Sequence, residues 1–303
     1  MIRAVGIGDY VIDRYYHYGK MFPGGNALNF AIYSKQLGHD AAFVSVLADD
    51  HFTDLVTKAL DDYQIDRSRC VPRHGETWLC NTRLENGERT ITDGNDCGVI
   101  KNQPLQIDSL LLDYLKGFDI IHANVNGCLG KELEKLKDTG VPVIYDYSDV
   151  WQTEEDLLSV CPHINFAFFS GKKLPQDVLK DLLKKLVEHG CELAICTIGK
   201  DGAIVYDGTR YFMEEPYNLH ASVIDTLGAG DSFLTGFITT YIEGRKRLAC
   251  ITQNTPEQYC TEQNLGEYKQ NLISYSMQVG NLLAIRNCMV LGAFGCGVPL
   301  VED

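Results

Sequence analysis

Residues 225–231 read Asp-Thr-Leu-Gly-Ala-Gly-Asp and run directly into Ser232-Phe233-Leu234-Thr235-Gly236-Phe237. A glycine-punctuated turn that opens a helix leaves backbone N–H groups without helical partners, and the helix dipole favours negative charge there. The small residues Gly228, Ala229 and Gly230 let a phosphate come close enough to use those groups. A fixed carboxylate such as Asp231 in the same turn repels phosphate, so its chemical sense is to take a proton from an attacking hydroxyl. The plainer reading has Asp231 complementing the dipole while the glycines make a tight turn. Seven residues in this order favour phosphate chemistry over a chance turn.

Three further groups can serve such a transfer. Ile2 to Gly8 is an apolar run whose end delivers Asp9, and Asp13 follows in the aromatic, β-branched stretch 10–18. Gly24-Gly25 precede a helix through about Leu37, where glycine permits close backbone approach and Asn29 presents an amide that both donates and accepts; a simple turn with Asn26 as helix cap reads equally well. Thr197, Gly199 and Gly202 form a strand-to-turn unit that suits a nucleotide's phosphates and ribose, although such turns are common.

The elements that must position these groups alternate. Apolar runs at 41–47, 119–123, 141–145, 164–169 and 193–197 are separated by amphipathic stretches ending near Tyr63 and at 108–115, 130–138 and 175–189. That is the signature of a parallel sheet covered on both faces. Two departures stand out. Thr77 to Leu84, Asn86-Gly87 and Glu88 to Thr92 read as an antiparallel hairpin that can stand off the main sheet and pair with 10–18 as a small lid, or else form a plain edge hairpin. The 10–18 stretch reads as a partly buried strand. Residues 244–265 read as an irregular excursion between the helix ending at Glu243 and a last helix at about 266–287, and 292–299 as a glycine-rich tail loop. The expectation is one domain over residues 1–303, with lid strands from about 10–18 and 72–99.

Composition narrows the partners. With 303 residues and 45% hydrophobic content the chain can bury a sizeable core, and a formal charge of −14 leaves no cationic surplus for a nucleic acid. An anionic nucleotide must be held by backbone dipoles, metal and a few cations. Eleven cysteines without a C-x-x-C pair indicate neither a disulfide framework nor a zinc ribbon, and a reducing cytoplasm fits best. No run approaches the ~18 apolar residues of a membrane span.

Taken together, Gly24-Gly25-x-x-x-Asn29, Thr197-x-Gly199-x-x-Gly202 and Asp225-Thr226-x-Gly228-Ala229-Gly230-Asp231 resemble the PfkB (ribokinase-like) sugar kinases over nearly the whole chain. The resemblance implies a three-layer α/β/α sandwich with a mostly parallel sheet and a small β lid, and transfer of the ATP γ-phosphate to a primary sugar hydroxyl. It makes Asp231 the base and Gly228, Ala229 and Gly230 the anion hole. Asp9, Asp13, Gly24, Gly25 and Asn29 become sugar ligands, and Thr197, Gly199 and Gly202 the nucleotide turn. Gly292 and Ala293 fall where the adenine pocket is completed, and Asp225-Thr226 where members often place a monovalent cation such as K+. Magnesium would bridge the phosphates largely through water, with no protein ligand assigned. The stretches Asp119-Ile120-x-His122-Ala123 and Asp146-x-Ser148-Asp149-x-Trp151 further resemble members that phosphorylate fructosamines, which favours fructoselysine as substrate. A cationic substrate would suit acids at Asp13, Glu88, Asp93 or Asp96, which also read as ordinary surface acids. A fructokinase- or ribokinase-type enzyme, or a catalytically silent sugar-binding regulator, are the alternatives.

Two departures from the family pattern matter. Ser170-Gly171-Lys172-Lys173 replaces the usual Asn-x-x-Glu, so either lysine supplies charge to the phosphates or both are solvated. Ala48 to Thr53 lacks the family's Gly-x-Asp-x-x-Gly and carries no assigned role. Edge strands of the lid offer pairing to a second copy of the chain, as a homodimer.

Overall fold

The computed structural model describes residues 1–85, 87–171, 174–217, 223–255 and 260–301, without the side chain of Glu88. In chain order it forms β1 (Arg3–Ile7), β2 (Val11–Tyr15), β3 (Lys20–Gly24), α1 (Asn26–Gln36), β4 (Asp40–Val44), β5 (Val46–Leu47), α2 (His51–Asp62) and β6 (Val71–Pro72). There follow β7 (Leu79–Glu85), β8 (Glu88–Gly94), α3 (Gly98–Asn102), α4 (Ser109–Leu115), β9 (Ile120–Asn124), α5 (Glu132–Lys135), β10 (Val143–Asp146), α6 (Glu154–Leu158), β11 (Phe166–Ser170) and α7 (Gln176–Glu188). The chain continues through β12 (Leu193–Thr197), β13 (Ala203–Tyr206), β14 (Tyr211–Glu214), α8 (Ala229–Asn254), α9 (Glu262–Cys288) and β15 (Val298–Pro299).

Eight strands form the main sheet in the order β14-β13-β12-β11-β10-β9-β1-β4. From β4 to β12 neighbours run parallel, and β13 and β14 return antiparallel. Strand residues divide between two cores with period two. In β12, Leu193 and Ile195 join the core built with α8 and α9, while Ala194 and Cys196 join the opposite one with α4 and α7. In α7 the buried residues are Leu179, Leu182, Leu183 and Leu186, the three- and four-residue spacing of one helix face. Each such side chain contributes about 1.5–3 kcal/mol on burial. The result is the expected three-layer α/β/α sandwich.

The second sheet runs β15-β3-β2-β7-β8, with β2 and β7 parallel and the other neighbours antiparallel. It is the small β lid. Here β2 is buried at every residue, not partly, because it lies inside this sheet between β3 and β7. The strand β3 has no counterpart in the sequence reading; Phe22-Pro23-Gly24 looked like an approach to a helix. Gly87 at the hairpin tip has φ +81°, while Asn86 lies outside the described residues.

The excursion expected at 244–265 is largely helix. α8 continues to Asn254 and α9 begins at Glu262, capped by Thr261, with 256–259 outside the described residues. Gly244 looked like a break. It is instead a packing site: a Cβ there would stand 2.3 Å from Leu272 Cδ1, so its bare backbone admits the neighbouring helix. No helix among the described residues is long and apolar enough to cross a membrane.

One contact sets α1 on the sheet. A Cβ at Gly6 in β1 would lie 2.3 Å from the Ala27 carbonyl oxygen. Gly6→Ala is therefore expected to destabilise the protein by about 1–3 kcal/mol or more through overpacking. A denaturant midpoint equal to wild type would contradict this account of the β1–α1 contact.

Candidate active site

Parallel strands present their C-terminal ends at one edge of a sheet. Asp9 follows β1, Asn124 ends β9, Asp146 ends β10, and Asn124 and Asp146 are paired in register. Both α1 and α8 begin at this edge.

The start of α1 has no side-chain cap of its own, since Gly25 occupies the cap position with φ +114°. Asp9 takes that part: its Oδ2 accepts from Asn26 N–H at 3.0 Å, and its Oδ1 from Ala27 N–H and Asn124 Nδ2, each at 2.9 Å. A carboxylate at a helix N-terminus satisfies orphan donors and complements the dipole. Gly25 is forced by closeness as well as by φ, because a Cβ there would lie 2.6 Å from Tyr10 Cα.

Asn26 is the hub. Its Nδ2 donates to Asp146 Oδ2 at 2.8 Å and to Asp231 Oδ1 at 3.2 Å, and its Oδ1 accepts from Asn126 Nδ2 at 3.1 Å. One turn later Asn29 Nδ2 donates to Asp231 Oδ2 at 2.6 Å. Asn29 Oδ1 is buried without a partner. Beside it, a Cβ at Gly230 would meet nothing within 4 Å, so open space fronts the first turn of α8. Gly228 holds φ +75° at the cap, and Ala229 N–H donates to the Thr226 carbonyl at 3.2 Å.

A second buried group lies under the lid. Asp13 is 1% exposed; its Oδ1 is 3.3 Å from Arg89 Nη1 on β8 and 3.4 Å from Thr82 Oγ1, and its Oδ2 has no partner. Gly24 leaves room for that oxygen, since a Cβ there would stand 2.9 Å from it. Asp225 is tied from three sides, by Tyr15 Oη at 2.8 Å, Gly292 N–H at 2.9 Å and Leu227 N–H at 2.9 Å. Ala293 packs against Gly228 and its carbonyl oxygen lies 2.8 Å from Tyr33 Oη. Thr226 N–H donates to the Gly87 carbonyl at 3.1 Å, so the lid tip rests on the 225–231 turn. Thr197, Gly199 and Gly202 form the β12–β13 turn at the same sheet edge, closed by Ile198 N–H to the Gly202 carbonyl at 2.7 Å.

Burial is the main force on these acids. It lifts the carboxyl of Asp9 to about 6 against the hydrogen bonds it accepts, and that of Asp13 to about 6 against the attraction of Arg89. Asp146 is pushed to about 8 by burial and then by the neighbouring Asp231. Burial also raises Asp231, opposed by the Asn29 hydrogen bond and by Arg89. A raised carboxyl beside an ionised one is how a site divides acid and base states.

The sequence reading placed Asp9, Asp13, Gly24, Gly25, Asn29 and 225–231 in one neighbourhood, and the structure brings them together with Gly292 and Ala293. It adds Asn26, Asn124, Asn126, Asp146 and Arg89, which carried no assigned site role. The signal for Asn124 and Asp146 was present: each ends an apolar strand at the ligand edge. Of the acids named for a cationic substrate, Asp93 and Asp96 are exposed and engaged with Asn81 and Lys101, while Asp13 alone is buried; the Glu88 side chain lies outside the described residues. Lys172 and Lys173 lie outside them too. Asp50, given no site role, caps α2 and accepts from Thr77 N–H at 2.6 Å.

The sequence profile of the pfkB family carbohydrate kinases matches residues 12–253. The chain is 31% identical over 305 residues to fructosamine kinase FrlD of Bacillus subtilis (strain 168), covering 100% of this chain and 96% of that protein. It is 30% identical over 249 residues to fructoselysine 6-kinase of Escherichia coli (strain K12), covering 82% and 93%. The structure of Arabidopsis thaliana ribokinase complexed with ribose and ATP superposes with a TM-score of 0.73 at 17% identity, covering 98% and 95%.

The raised carboxyls yield a pH test on the protein without ligand. A group whose folded pKa exceeds its unfolded value stabilises the fold below the unfolded value and loses that contribution as pH rises through the folded one. For Asp146 the loss falls between about 4 and about 8. Asp146→Asn should therefore melt progressively higher relative to wild type as pH is raised across that window. Parallel melting curves over the whole range would contradict the assignment.

Proposed function

Because the chain belongs to the pfkB family of carbohydrate kinases, we propose that it transfers the γ-phosphoryl group of ATP to the 6-hydroxyl of a fructosamine, with fructoselysine the preferred substrate. The observation that carries the reading is the pair of unpartnered buried acceptors, Asn29 Oδ1 and Asp13 Oδ2, beside an acid at a helix start. Buried polar atoms left without partners in a cleft await a ligand's donors, and a polyol is donor-rich. Buried acids at 9, 13 and 146, of which Asp13 is paired with Arg89, also suit a substrate that brings an amine.

In this reading Asp231 accepts the 6-hydroxyl proton as that oxygen attacks in line. Asn29 and Asn26 hold its two oxygens in place, which limits it to one productive orientation. The first turn of α8 faces the developing negative charge from the open side at Gly230. Asp9, Asp13, Gly24, Gly25 and Asn29 line the sugar end, and Thr197, Gly199, Gly202, Gly292 and Ala293 serve the nucleotide. The lid closes over the sugar and excludes water that would otherwise compete as acceptor.

Magnesium fits this donor set only as an ion carried on the phosphates. Among the described residues no three of His, Cys, Asp or Glu are placed to cage a metal, and the cleft offers hard carboxylate and amide oxygens. Asp231, backed by Asp146, is the acid that would meet its water shell, and the ion would neutralise phosphate charge. A monovalent cation such as K+ near Asp225-Thr226 belongs to the same proposal, as do a cytoplasmic location and pairing of lid edges between two copies through β8.

Asp231→Asn is expected to lower kcat by ~10² to 10⁴ fold with KM little changed, as loss of a general base does. Turnover within a few-fold of wild type removes Asp231 from the mechanism. ADP release measured over fructoselysine, fructose, ribose and nucleosides should be highest in kcat/KM for fructoselysine. A preference for fructose or ribose selects the plain sugar kinase, and saturable ligand-induced melting shifts without ADP select a silent binding protein.

A further inference from the structure

Asn26 Nδ2 serves two carboxylates at once, Asp146 Oδ2 at 2.8 Å and Asp231 Oδ1 at 3.2 Å, so both of its hydrogens are engaged. A side-chain amide rotated by half a turn would put its oxygen in that place. An ionised carboxylate only accepts, so an amide oxygen facing Asp231 would oppose the charge that a base must carry. The nitrogen has to face Asp231 whenever Asp231 is ready to take a proton. What meets the other end of the amide is then part of the base's chemistry.

At that end stands Asn126, whose Nδ2 donates to Asn26 Oδ1 at 3.1 Å. Asn126 lies in the short turn Val125–Gly127 that follows β9, and it is partly exposed. The turn is firmly anchored. Asn124 Oδ1 accepts from Gly127 N–H at 2.9 Å, Asn124 Nδ2 donates to Asp9 Oδ1 at 2.9 Å, and a Cβ on Gly127 would stand 2.8 Å from Gly8 Cα. Among the described residues the side chains that hold the Asp231 carboxylate are Asn26 and Asn29, so Asn126 reaches the base only through Asn26.

We propose that Asn126 is a positioning residue of the phosphoryl transfer: by donating to Asn26 Oδ1 it keeps the Asn26 amide turned with its nitrogen toward Asp231 and Asp146, and so holds the base ready to accept. This rests on the reading of Asp231 as the base. The competing arrangement differs by half-turns of two amides. Were Asn126 to present its oxygen, Asn26 would turn its nitrogen to it and leave its own oxygen against Asp231. A carboxylate at 126 enforces that state, because it offers acceptors alone and competes with Asp146 and Asp231 for the same two hydrogens. An aliphatic side chain of similar size does not, since it leaves Asn26 Oδ1 unpaired without drawing the nitrogen away. Asn126→Asp and Asn126→Leu thus separate the orientation of the amide from the bulk that fills the turn.

The experiment compares the full chain with these two variants by steady-state ADP release, at the alkaline end of the working range, where the new carboxyl is ionised. For Asn126→Asp, kcat is expected to fall on the order of 10²-fold, the penalty of a misdirected reacting group, with the KM values for sugar and ATP changed less than kcat. For Asn126→Leu the fall should stay within about tenfold, the size of one lost neutral hydrogen bond. In parallel, nuclear magnetic resonance of isotopically labelled, ligand-free protein follows the side-chain amide signal of Asn26, identified by its loss in Asn26→Ser. That signal should move far in Asn126→Asp and little in Asn126→Leu. Equal losses of kcat in the two variants, or a greater loss in Asn126→Leu, would overturn the proposal. So would a defect confined to the KM for ATP, the mark of plain repulsion between the new charge and the nucleotide. An unmoved Asn26 signal in Asn126→Asp overturns the turning of the amide whatever the kinetics. Should Asp231→Asn keep wild-type turnover, the reading of Asp231 as the base fails, and the amide signal still decides whether Asn126 orients Asn26.

Discussion

The side-chain amide of Asn26 lets the cleft exist. Three carboxylates, Asp9, Asp146 and Asp231, are brought to one sheet edge, where burial opposes ionisation of each and the charge of Asp231 adds to that at Asp9 and Asp146. Asn26 meets all three, Asp9 through its backbone N–H and the other two through one side-chain nitrogen. Its carbonyl oxygen is held in turn by Asn126, which fixes the amide's sense of rotation. Removing this residue would leave buried charge unpaired, the costly direction for any polar network.

That hub exists because of how the layers stack. Parallel pairing aligns the ends of β9 and β10, so Asn124 and Asp146 arrive side by side. The bare backbone at Gly6 lets α1 lie directly on β1, which brings the first turn of α1 to Asp9. α8 covers the same face and starts at Ala229, so its first-turn carboxylate reaches the first turn of α1. A carboxylate at each helix start is electrostatically natural. What is unusual is that two helix starts share one cleft, and phosphoryl transfer needs such a cleft because donor and acceptor must approach in line.

Much of this was legible. Alternating apolar runs and amphipathic stretches gave the sandwich, and Asn-Gly gave the lid hairpin, because both signals are local. Residues 225–231 were legible as a glycine turn that opens a helix with an acid in its first turn, because that signal is contained in seven consecutive positions. Asn26, Asp146 and Arg89 were missed for the opposite reason: the side-chain contacts that bring each into the site reach partners more than seventy residues away. The reading of Gly244 failed for a related cause. Glycine inside a helix signals a break by propensity alone, yet tight packing of α8 on α9 overrides that preference. β2 appeared half-exposed because aromatic and polar residues alternate in it, while the covering lid strands come from later in the chain.

The lid and the 225–231 turn are coupled through Asp225. It is fully buried and accepts from Tyr15 at the end of β2, from Leu227 inside its own turn and from Gly292 in the tail loop. Three segments far apart in sequence therefore share one carboxylate. The Gly87 carbonyl at the lid tip adds a contact with the adjoining Thr226 N–H. Opening the lid by moving β8 alone breaks the contact at Gly87 and the Arg89–Asp13 pair but leaves the Tyr15–Asp225 bond intact. β7 meets β2 over a parallel register that spans Ile12, Asp13 and Arg14. The outer hairpin β7–β8 thus contributes Arg89, and β2–β3 the floor that carries Asp13. Since Asp13 sits on the floor and Arg89 on the hairpin, their charge pair joins the two halves of the lid beside the unpartnered oxygen of Asp13, the kind of buried acceptor that a hydroxyl-bearing ligand can satisfy.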